Sequence, residues 1–475
     1  MIATYESALA YLQSFINNEH RRIEQYAPEN YSLQRPITLL ANLGNPHFTF
    51  PSIHIAGTKG KGSVAVICAS ILSQAGLRVG LYTSPHLFDF RERIRILSKE
   101  DRDGRISGVR VANLTERLRL AAESISALTW FELVTALAFM HFAEEQIDIA
   151  VVEVGLGGRL DATNALSPLV SVITSLSLDH TQLLGNTLKE IALEKGGIIK
   201  NGVPVVSAPQ EAEALLELER IAKNHRAPLT IVGRDWDFEV VSTAVPDRKD
   251  NRFVQSQEFT ITKVPPNCFI PNHTSFSVSL VGYHQFENTV AALAAINIIH
   301  PRFLNLTTDL VQKALASVEW PGRLQLLSTG GDRPTVLVDG AHNVDSARKL
   351  AVALVTNYSF RKLYLILGVT ADKDIAGILK SLLPQADYVI VTASSHPRAC
   401  PADELLALAE QLGFQIHASP SVIEAVETCW NLASANDLIC VTGSIFVVGD
   451  LLNQWESLQS GLIKQTTHYP VSSDG

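Results

Sequence analysis

The segment IHIAGTKGKGS at residues 53–63 constrains this chain more than any other stretch. An apolar run ends at Gly57, a loop with three glycines and two lysines follows, and Ser63 opens the apolar stretch SVAVICASILSQAG. This order predicts a strand, a phosphate-binding loop and a helix, because glycines let successive N–H groups face one anion and the helix N-terminus adds positive charge. Lys61 is then placed to reach the terminal phosphates of a nucleotide. An ordinary glycine-rich turn is the alternative, since Gly62 separates the lysine from the serine and the spacing departs from G-x-x-x-x-G-K-[ST].

Composition limits the class of protein further. A chain of 475 residues is too long for one ordinary core and predicts two domains. Hydrophobic residues make up 46% and charged residues 18%, which is typical of a compact folded protein. The net charge of −9 offers no basic surface for nucleic acid, so local groups must bind an anionic ligand. Five cysteines without a C-x-x-C pair, no leader pattern and no long uncharged apolar run predict a cytoplasmic protein without a membrane span.

The order of the apolar segments indicates an α/β fold. The segments RVGLYTS (78–84), IDIAVVEVG (147–155) and LVSVITSLSLDH (169–180) are typical of strands. TWFELVTALAFMHFAEEQ (129–146) is typical of a largely buried helix. Near-continuous apolar strands that alternate with helices predict a parallel sheet covered on both faces.

A second α/β series follows a tract of different character. From about residue 235 to 276, short alternating segments are interrupted by Pro and Asn, which predicts β-hairpins or an antiparallel edge. Pro-Gly-Arg at 321–323 is a candidate hinge, and beyond it PTVLVDG, KLYLILGV, YVIVTA and DLICVTGS alternate with helices. We predict a P-loop-type parallel-sheet ATPase domain with a small antiparallel edge at 1–319, and a smaller Rossmann-like α/β domain at 320–475. The tail QTTHYPVSSDG, residues 465–475, is predicted to be disordered.

Polar side chains stand where strands of the first domain are predicted to end, which is where parallel sheets bind ligands. Ser84 follows the second strand, Glu153 interrupts the apolar run VVEVG, and His180 closes SLSLDH. A buried carboxylate is costly unless it is paired or binds a metal, and Mg²⁺ on ATP phosphates needs only a few oxygen ligands. Taken singly, His180 is more typical of a helix cap or a core edge, Asp179 is equally ambiguous, and Ser84 is typical of a turn before proline.

Two residues of the second domain are candidate nucleotide contacts. Asp339 ends the strand TVLVD, where an acid can bind a ribose hydroxyl, although an acid that caps the next helix fits the spacing equally well. Arg323 could reach a phosphate, where its delocalised guanidinium suits a charge that is being transferred. A solvated surface ion pair is the alternative for this arginine.

The chain carries a series of motifs in this order: GTKGKGS, TSPHL with FRERIRI, TWFELVTALAF, VVEVGLGGRLDATN, SLDHTQLLGNT, EKGGIIK, PGRLQ, VDGAHN and VTGS. From about residue 35 to 450 they closely resemble the folylpolyglutamate synthase and dihydrofolate synthase family of the Mur ligase superfamily. The resemblance implies an amide ligase that uses ATP and Mg²⁺. A pteroate or folate carboxylate takes the γ-phosphoryl group, giving an acyl phosphate and ADP, and the amine of L-glutamate then displaces phosphate. Phosphorylation supplies the leaving group that a carboxylate lacks, while metal and lysine neutralise the transferring charge.

The resemblance also implies roles for single residues, with Lys61, His180, Lys195 and Arg323 as the catalytic candidates. The phosphate cradle comprises Gly57, Thr58, Lys59, Gly60, Lys61, Gly62 and Ser63. The implied Mg²⁺ ligands are Ser84, Glu153 and His180, with Lys195 as a carbamate at a second metal, or else an ordinary helix lysine. The implied nucleotide contacts are Asn288, Arg323 and Asp339. The implied substrate contacts are Thr129, Trp130, Phe131, Glu132, Leu160, Asp161 and Ala162 for the pterin, and His342 and Ser444 for glutamate.

Two departures from the family pattern stand out. The family usually has asparagine where this chain has Lys59, which either adds charge beside the phosphates or points to solvent. The tract at 235–276 is longer than the family needs. We predict a bifunctional dihydrofolate and folylpolyglutamate synthase that acts as a monomer on small molecules. The alternatives are a monofunctional enzyme, a P-loop NTPase switch without ligase activity, and a peptidoglycan-precursor ligase, which TSPHL and VGLGGRLDATN disfavour.

Overall fold

The computed structural model describes residues 2–17, 32–243, 247–249, 252–254, 256–328 and 333–466. The chain divides into two compact units. The first unit comprises the described residues up to Ser242, together with Ser256–Ser279 and Tyr283–Glu319. The second comprises the described residues within Thr243–Gln255, Leu280–Gly282 and the chain from Trp320 onward. The tail predicted to be disordered lies, from residue 467 on, outside the described residues.

The first unit contains ten α-helices and ten strands among its described residues. Its helices are α1 (Tyr5–Gln13), α2 (Gln34–Asn42), α3 (Lys61–Gln74), α4 (Gly108–Ala122), α5 (Trp130–Glu144), α6 (Thr181–Leu184), α7 (Leu188–Gly196), α8 (Ala212–Asn224), α9 (Tyr283–Ile299) and α10 (Thr308–Ala316). Its strands are β1 (Ser52–Ala56), β2 (Val79–Tyr82), β3 (Ile94–Leu97), β4 (Ile149–Glu153), β5 (Val170–Ile173), β6 (Val205–Ser207), β7 (Leu229–Ile231), β8 (Asp237–Ser242), β11 (Gln257–Lys263) and β12 (Ser275–Val278), while β9 (Asp247–Lys249) and β10 (Arg252–Val254) lie in a segment assigned to the second unit.

A seven-stranded sheet forms the centre of the first unit, in the order β3-β2-β4-β1-β5-β6-β7. All neighbouring strands are parallel except β2 and β3, which pair antiparallel. Every residue of β1, β2, β4, β5 and β6 is buried, because helices cover both faces of the sheet. The predicted parallel sheet is therefore confirmed.

Three helices of this unit, α3, α5 and α9, are buried around most of their circumference. The helix α3 packs against α9 and α10, and α5 packs against α4 and α2. A capping box explains where α5 begins: the Thr129 side chain accepts the N–H of Glu132, and the Glu132 carboxylate accepts the N–H of Thr129. The helix α3 begins at Lys61, two residues before the predicted start at Ser63, with Gly60 as its left-handed N-cap.

The tract from about residue 235 to 276 is antiparallel, as predicted. It contains β8 and β11, which pair with β12 in a separate three-stranded sheet of order β12-β11-β8. The short strands β9 and β10 form a hairpin. Among the described residues, no helix is both long and apolar enough to cross a membrane.

The second unit is built on one mixed sheet of order β13-β14-β18-β15-β16-β17, in which only the edge pair β13 and β14 is antiparallel. Its core includes buried residues of the central strands and Val281, which reaches it from the short segment before α9. Its helices are α11 (Val344–Asn357), α12 (Ile375–Leu382), α13 (Ala402–Gln411), α14 (Val422–Leu432) and α15 (Ile445–Thr466). Its sheet strands are β13 (Gln325–Ser328), β14 (Thr335–Val338), β15 (Leu363–Leu367), β16 (Tyr388–Val391), β17 (His417–Ala418) and β18 (Leu438–Thr442).

One predicted strand is much shorter than expected. The apolar run LVSVITSLSLDH is a strand only over Val170–Ile173, and residues 174–180 form irregular chain beyond the carboxyl end of β5. Residues 174–180 instead contact the phosphate loop, through the backbone of Ser175 and Ser177 and the side chain of Asp179.

Candidate active site

The phosphate loop, Gly57–Gly62, runs from the end of β1 into α3 and is packed too tightly for side chains at two of its glycines. Gly60 has a φ of 88°, in the left-handed region, and a Cβ there would lie 2.2 Å from Oδ1 of Asn288. A Cβ on Gly57 would lie 1.8 Å from Oγ1 of Thr174. Glycine is thus required at both positions, as a loop that wraps an anion with its backbone would need.

The segment 174–180 holds the phosphate loop in place. The backbone N–H groups of Thr58 and Lys59 both donate to the carbonyl of Ser175, at 3.0 and 3.1 Å. The Thr58 hydroxyl donates to the carbonyl of Ser177 and accepts the N–H of the same residue, each at 3.2 Å. The conformation of the loop is therefore set by the chain that follows the neighbouring strand β5.

Lys61, Glu153 and Ser84 lie together at the carboxyl ends of β1, β4 and β2. Nζ of Lys61 is 4.0 Å from Oε1 of Glu153, and the N–H of Ser84 donates to Oε2 at 3.1 Å. The side chain of Glu153 is only 5% exposed, so its carboxylate stands almost out of water beside the phosphate loop. Three residues that the sequence predicted to share a site are thus in contact.

Lys59 does not point to solvent, which was one of its two predicted positions. Its Nζ is 2.9 Å from Oδ2 of Asp179, and the side chains of the two residues are 17% and 13% exposed. Oδ1 of Asp179 accepts the N–H of His180 at 3.0 Å. His180 itself is the N-cap residue of α6 by its backbone position and has a φ of 49°, but its side chain makes no capping hydrogen bond to that helix.

Lys195 lies near the end of α7 and is buried. Its Nζ donates to the carbonyl of Gly57 at 2.9 Å, which connects it to the first residue of the phosphate loop. Burial is the main reason that the pKa of Lys195 falls to about 7, and the nearby Lys61 ammonium lowers it further. A substantial fraction of this amine is therefore neutral near neutral pH, and the neutral amine is the form that reacts with CO₂.

Asn288 is buried in the first turns of α9 and faces Gly60. Its Nδ2 donates to Oε1 of Gln285 at 3.0 Å, and Gln285 is itself 2% exposed. This bond fixes the orientation of the amide and leaves Oδ1 as the atom that faces the loop. The short motif QFEN thus lies against the phosphate loop.

The residues around the phosphate loop fit Mg²⁺ bound together with nucleotide phosphates. Within the described ranges, no three His, Cys, Asp or Glu side chains are grouped so as to hold a metal by themselves. Mg²⁺ on a nucleotide needs no such group, because phosphate oxygens and waters fill most of its octahedral shell. Glu153 provides a nearly buried carboxylate beside the loop, with Ser84 in contact and His180 on the segment that holds the loop.

The two segments predicted to contact the pterin meet around Gly155. A Cβ on Gly155 would lie 2.4 Å from Cζ of Phe131, so the start of α5 packs directly on the loop after β4. Asp161 holds this loop from the other side, because its carboxylate accepts the N–H groups of Leu156 and Thr163, each at 2.9 Å. Burial raises the pKa of Asp161, and these hydrogen bonds oppose the rise.

The remaining members of those segments are mostly buried. Trp130 lies under the guanidinium of Arg93, with 4.7 Å between the guanidinium carbon and the ring centroid. Ala162 is 3% exposed, and Leu160 is partly buried. Burial raises the pKa of Glu132, while its bonds to Thr129 and Arg35 lower it.

The second unit brings Arg323 and Asp339 together. A Cβ on Gly340 would lie 2.7 Å from Nη1 of Arg323, and the carboxylate of Asp339 accepts the N–H groups of Leu324 and Ala341, each at 2.9 Å. Burial raises the pKa of Asp339, and the positive charge of Arg323 opposes the rise. Asp339 does not cap α11, since that helix has Asn343 as its N-cap.

His342 and Ser444 occupy loops after the carboxyl ends of β14 and β18, which are neighbouring strands. Nδ1 of His342 lies 2.8 Å from the carbonyl of Gly340. The hydroxyl of Ser444 accepts the N–H of Phe446 at 3.1 Å, and Ser444 is 2% exposed. Both side chains are therefore positioned by contacts with the backbone of their own loops.

Several residues that shape these sites were not predicted. Thr174, Ser175, Ser177 and Gln285 contact the phosphate loop or orient Asn288, but small hydroxyl residues and a helical glutamine carry no spacing signal in the sequence. Arg35, from α2, binds the carboxylate of Glu132 through Nε at 3.0 Å. A buried glutamate at a helix start was the only hint that a cation must approach it.

Comparison with known proteins gives consistent matches along the chain. The Mur ligase middle domain matches residues 55–296, and the Mur ligase glutamate ligase domain matches residues 322–445. The dihydrofolate synthase/folylpolyglutamate synthase of Bacillus subtilis is 32% identical over 432 residues, which cover 88% of this chain and 94% of that protein. A probable bifunctional folylpolyglutamate synthase/dihydropteroate synthase of Halobacterium salinarum is 34% identical, and the chain spans only 50% of its length. The structure of E. coli FolC in complex with DHPP and ADP superposes with a TM-score of 0.79 at 29% identity, covering 96% of this chain and 98% of FolC.

Proposed function

The chain belongs to the folylpolyglutamate synthase and dihydrofolate synthase family of the Mur ligases, and from that premise we propose how its residues carry out the reaction and which acceptors it takes. It is an ATP-dependent ligase that joins L-glutamate to a pterin-containing acid and releases ADP and phosphate. Mg²⁺ bound with ATP supplies charge neutralisation at the transferring phosphoryl group.

The first step that we propose is phosphorylation of the acceptor. An oxygen of the acceptor carboxylate attacks the γ-phosphorus of ATP, the bond from phosphorus to the β–γ bridging oxygen breaks, and ADP leaves. The backbone N–H groups at the start of α3, from Gly60 to Gly62, cradle the phosphates, and the ammonium of Lys61 binds the charge that builds up on the departing ADP. Glu153, with Ser84 and His180, would hold the metal.

The second step is attack by glutamate. The neutral amine of glutamate adds to the carbonyl carbon of the acyl phosphate, the C–O bond to phosphate breaks, and the amine loses a proton as the amide forms. We assign His342 and Ser444 to the glutamate, since both stand at carboxyl ends of strands in the Mur ligase glutamate ligase domain. Arg323 and Asp339 are assigned to the nucleotide, as the motifs PGRLQ and VDGAHN imply.

Lys195 is proposed to act as a carbamate. Its buried amine, with a pKa of about 7, adds through its nitrogen to the carbon of CO₂ and releases one proton, and it lies at the first carbonyl of the phosphate loop. The carbamate carries a negative charge near the Lys61 ammonium, where it could also help to hold a metal. An unmodified lysine at the same place would instead add to the cationic charge.

The observation that carries this proposal is the clustering around one loop. Lys61, Lys195, Asn288 and the Lys59–Asp179 pair all contact Gly57–Gly62 or form part of it. The alternative of a P-loop switch without ligase activity needs only the loop itself, and gives no reason for the pterin and glutamate segments.

The acceptor range is tested by direct assay. Purified protein with ATP, Mg²⁺ and labelled L-glutamate should form amide product with dihydropteroate and also with tetrahydrofolate, with one ADP per amide. Turnover of one acceptor alone would replace the bifunctional proposal with a monofunctional enzyme. ADP release that is unchanged when acceptor and glutamate are omitted would exclude ligation as the main activity.

We also propose that the protein acts in the cytoplasm as a monomer on small-molecule substrates, with residues 1–319 as the ATP- and pterin-binding domain and 320–475 as the glutamate-ligase domain. The five free cysteines, of which four are buried, support a reducing compartment. Sedimentation of the purified chain at assay concentration tests the monomer.

A further inference from the structure

We propose that Lys59 is a positioning residue: its ion pair with Asp179 fixes the backbone that presents His180, and so prepares the metal site before Mg²⁺ and nucleotide arrive. The inference rests on the proposed role of His180 as a metal ligand. It answers why a second lysine stands in the phosphate loop, where the family pattern usually has asparagine.

The geometry of the pair supports positioning better than direct phosphate binding. Nζ of Lys59 is 2.9 Å from Oδ2 of Asp179, so its charge is already bound to a carboxylate. With side chains 17% and 13% exposed, the pair is mostly out of water, where such a contact is stronger than at the surface. The proposed function already assigns the phosphate-binding charge to Lys61, which lies next to Glu153.

The carboxylate of Asp179 connects the pair to His180. Its second oxygen, Oδ1, accepts the N–H of His180 at 3.0 Å, while Nε2 of the imidazole is 3.9 Å from the same oxygen. His180 has a φ of 49°, in a region that non-glycine residues rarely adopt, so surrounding contacts must hold it there. Lys59 holds Asp179, and Asp179 holds the backbone of His180.

The same pair joins two pieces of chain that are far apart in the sequence. The N–H of Lys59 donates to the carbonyl of Ser175 at 3.1 Å, so both the backbone and the side chain of Lys59 bind the segment 174–180. The phosphate loop and the His180 loop are therefore fixed relative to each other. An asparagine is too short to span the distance that the four-carbon stem of lysine covers, so its replacement must loosen this contact.

The experiment measures how far Mg²⁺ strengthens ADP binding, by calorimetry on the full-length protein in EDTA and in excess MgCl₂. The measured quantity is the factor by which Mg²⁺ lowers the Kd for ADP. We expect this factor to be about tenfold smaller in Lys59→Asn, which is the usual cost of losing a group that orients a metal ligand. Binding of ADP in EDTA should change less than about twofold, because the phosphate contacts remain. Lys59→Arg should keep most of the strengthening, since it preserves the ion pair.

The double variant tests whether the two residues act as one unit. Asp179→Asn should also reduce the strengthening by Mg²⁺, and Lys59→Asn with Asp179→Asn should lose no more than the larger of the two single effects. A matched control is Lys349→Asn, which breaks the exposed Lys349–Asp345 pair in α11 and should leave ADP binding unchanged. Circular dichroism of each variant reports whether the fold is retained.

Each of the following results would overturn the proposal. If Lys59→Asn weakens ADP equally in EDTA and in MgCl₂, Lys59 binds phosphate directly. If the losses of the two single variants multiply in the double variant, the residues act independently. His180→Ala separates this inference from its premise. If His180→Ala keeps the full effect of Mg²⁺ on ADP binding, the assignment of His180 as a metal ligand fails. If His180→Ala loses that effect while Lys59→Asn keeps it, only the positioning role of Lys59 fails.

Discussion

Lys61 is the lysine of the phosphate loop that lies beside the buried carboxylate of Glu153. It is 18% exposed and stands 4.0 Å from Glu153. We expect Lys61→Ala to lower kcat by about 100-fold or more, because one preorganised charge at a transferring group contributes that much. The fold should survive, since Glu153 still accepts the N–H of Ser84. Steady-state ADP release and circular dichroism measure the two effects.

The control for Lys61→Ala is Lys189→Ala, which removes an exposed lysine of α7 that lies outside the proposed site. Its kcat should equal that of the unchanged protein. An active Lys61→Ala enzyme would refute the proposed role of Lys61 in charge stabilisation.

Lys195 allows a test by chemical rescue. We expect Lys195→Ala to lose most activity, and acetate to restore part of it, because a small carboxylate can enter the space and supply the charge that the carbamate would carry. Initial rates over a series of acetate concentrations measure the rescue. Lys61→Ala should show none, and full activity of Lys195→Ala without acetate would exclude the carbamate.

The strand β1 contains a histidine at a position where an apolar residue would be expected. His54 is fully buried, its Nε2 lies 2.8 Å from Oγ1 of Thr163, and burial lowers its pKa to about 3. In the unfolded chain the same imidazole takes up a proton below about pH 6.5. The folded protein binds this proton only near pH 3, so between these two values protonation favours the unfolded chain. The contribution of His54 to the free energy of unfolding is therefore complete above about pH 6.5 and falls as the pH drops toward 3.

This linkage predicts acid sensitivity at the centre of the first sheet. Below about pH 6.5, His54 should lower the free energy of unfolding by about 1.4 kcal/mol per pH unit. Hydrogen exchange of β1 and β4, corrected for its intrinsic pH dependence, measures this, and His54→Leu should flatten the profile by that amount. His225→Gln, which changes an exposed side chain, should keep the original slope. An unchanged slope in His54→Leu would contradict the linkage.

Neither compact unit is one continuous stretch of the chain. Leu280–Gly282 belongs to the second unit although residues on both sides of it belong to the first, and Val281 is 2% exposed within the second core. We expect Val281→Ala to cost about 2 kcal/mol of stability, the value of two buried methyl groups, and to raise hydrogen exchange in residues 320–466.

A neighbouring valine is the matched control for Val281. Val278, in β12, is fully buried and belongs to the first unit. Val278→Ala should raise exchange in β11 and β12 instead. If both variants loosened the same region, the assignment of Leu280–Gly282 to the second unit would be wrong.

Sequence alone determined the periodic and compositional features of this protein. The glycines and lysines of the phosphate loop, the buried strands around Glu153 and the second α/β series all carry local signals, because strand burial, helix periodicity and turn chemistry depend on near neighbours. The order of the motifs was sufficient to identify the family.

Only the tertiary structure decided which distant side chains meet. Whether Lys59 faces solvent, phosphate or Asp179, and whether residues 174–180 extend a strand or hold a loop, depends on partners more than a hundred residues away. Likewise the low pKa of Lys195 follows from burial beneath Gly57, which no local pattern encodes. Such contacts arise when parallel strands bring their carboxyl ends to one edge, and their energies depend on burial that exists only in the folded chain.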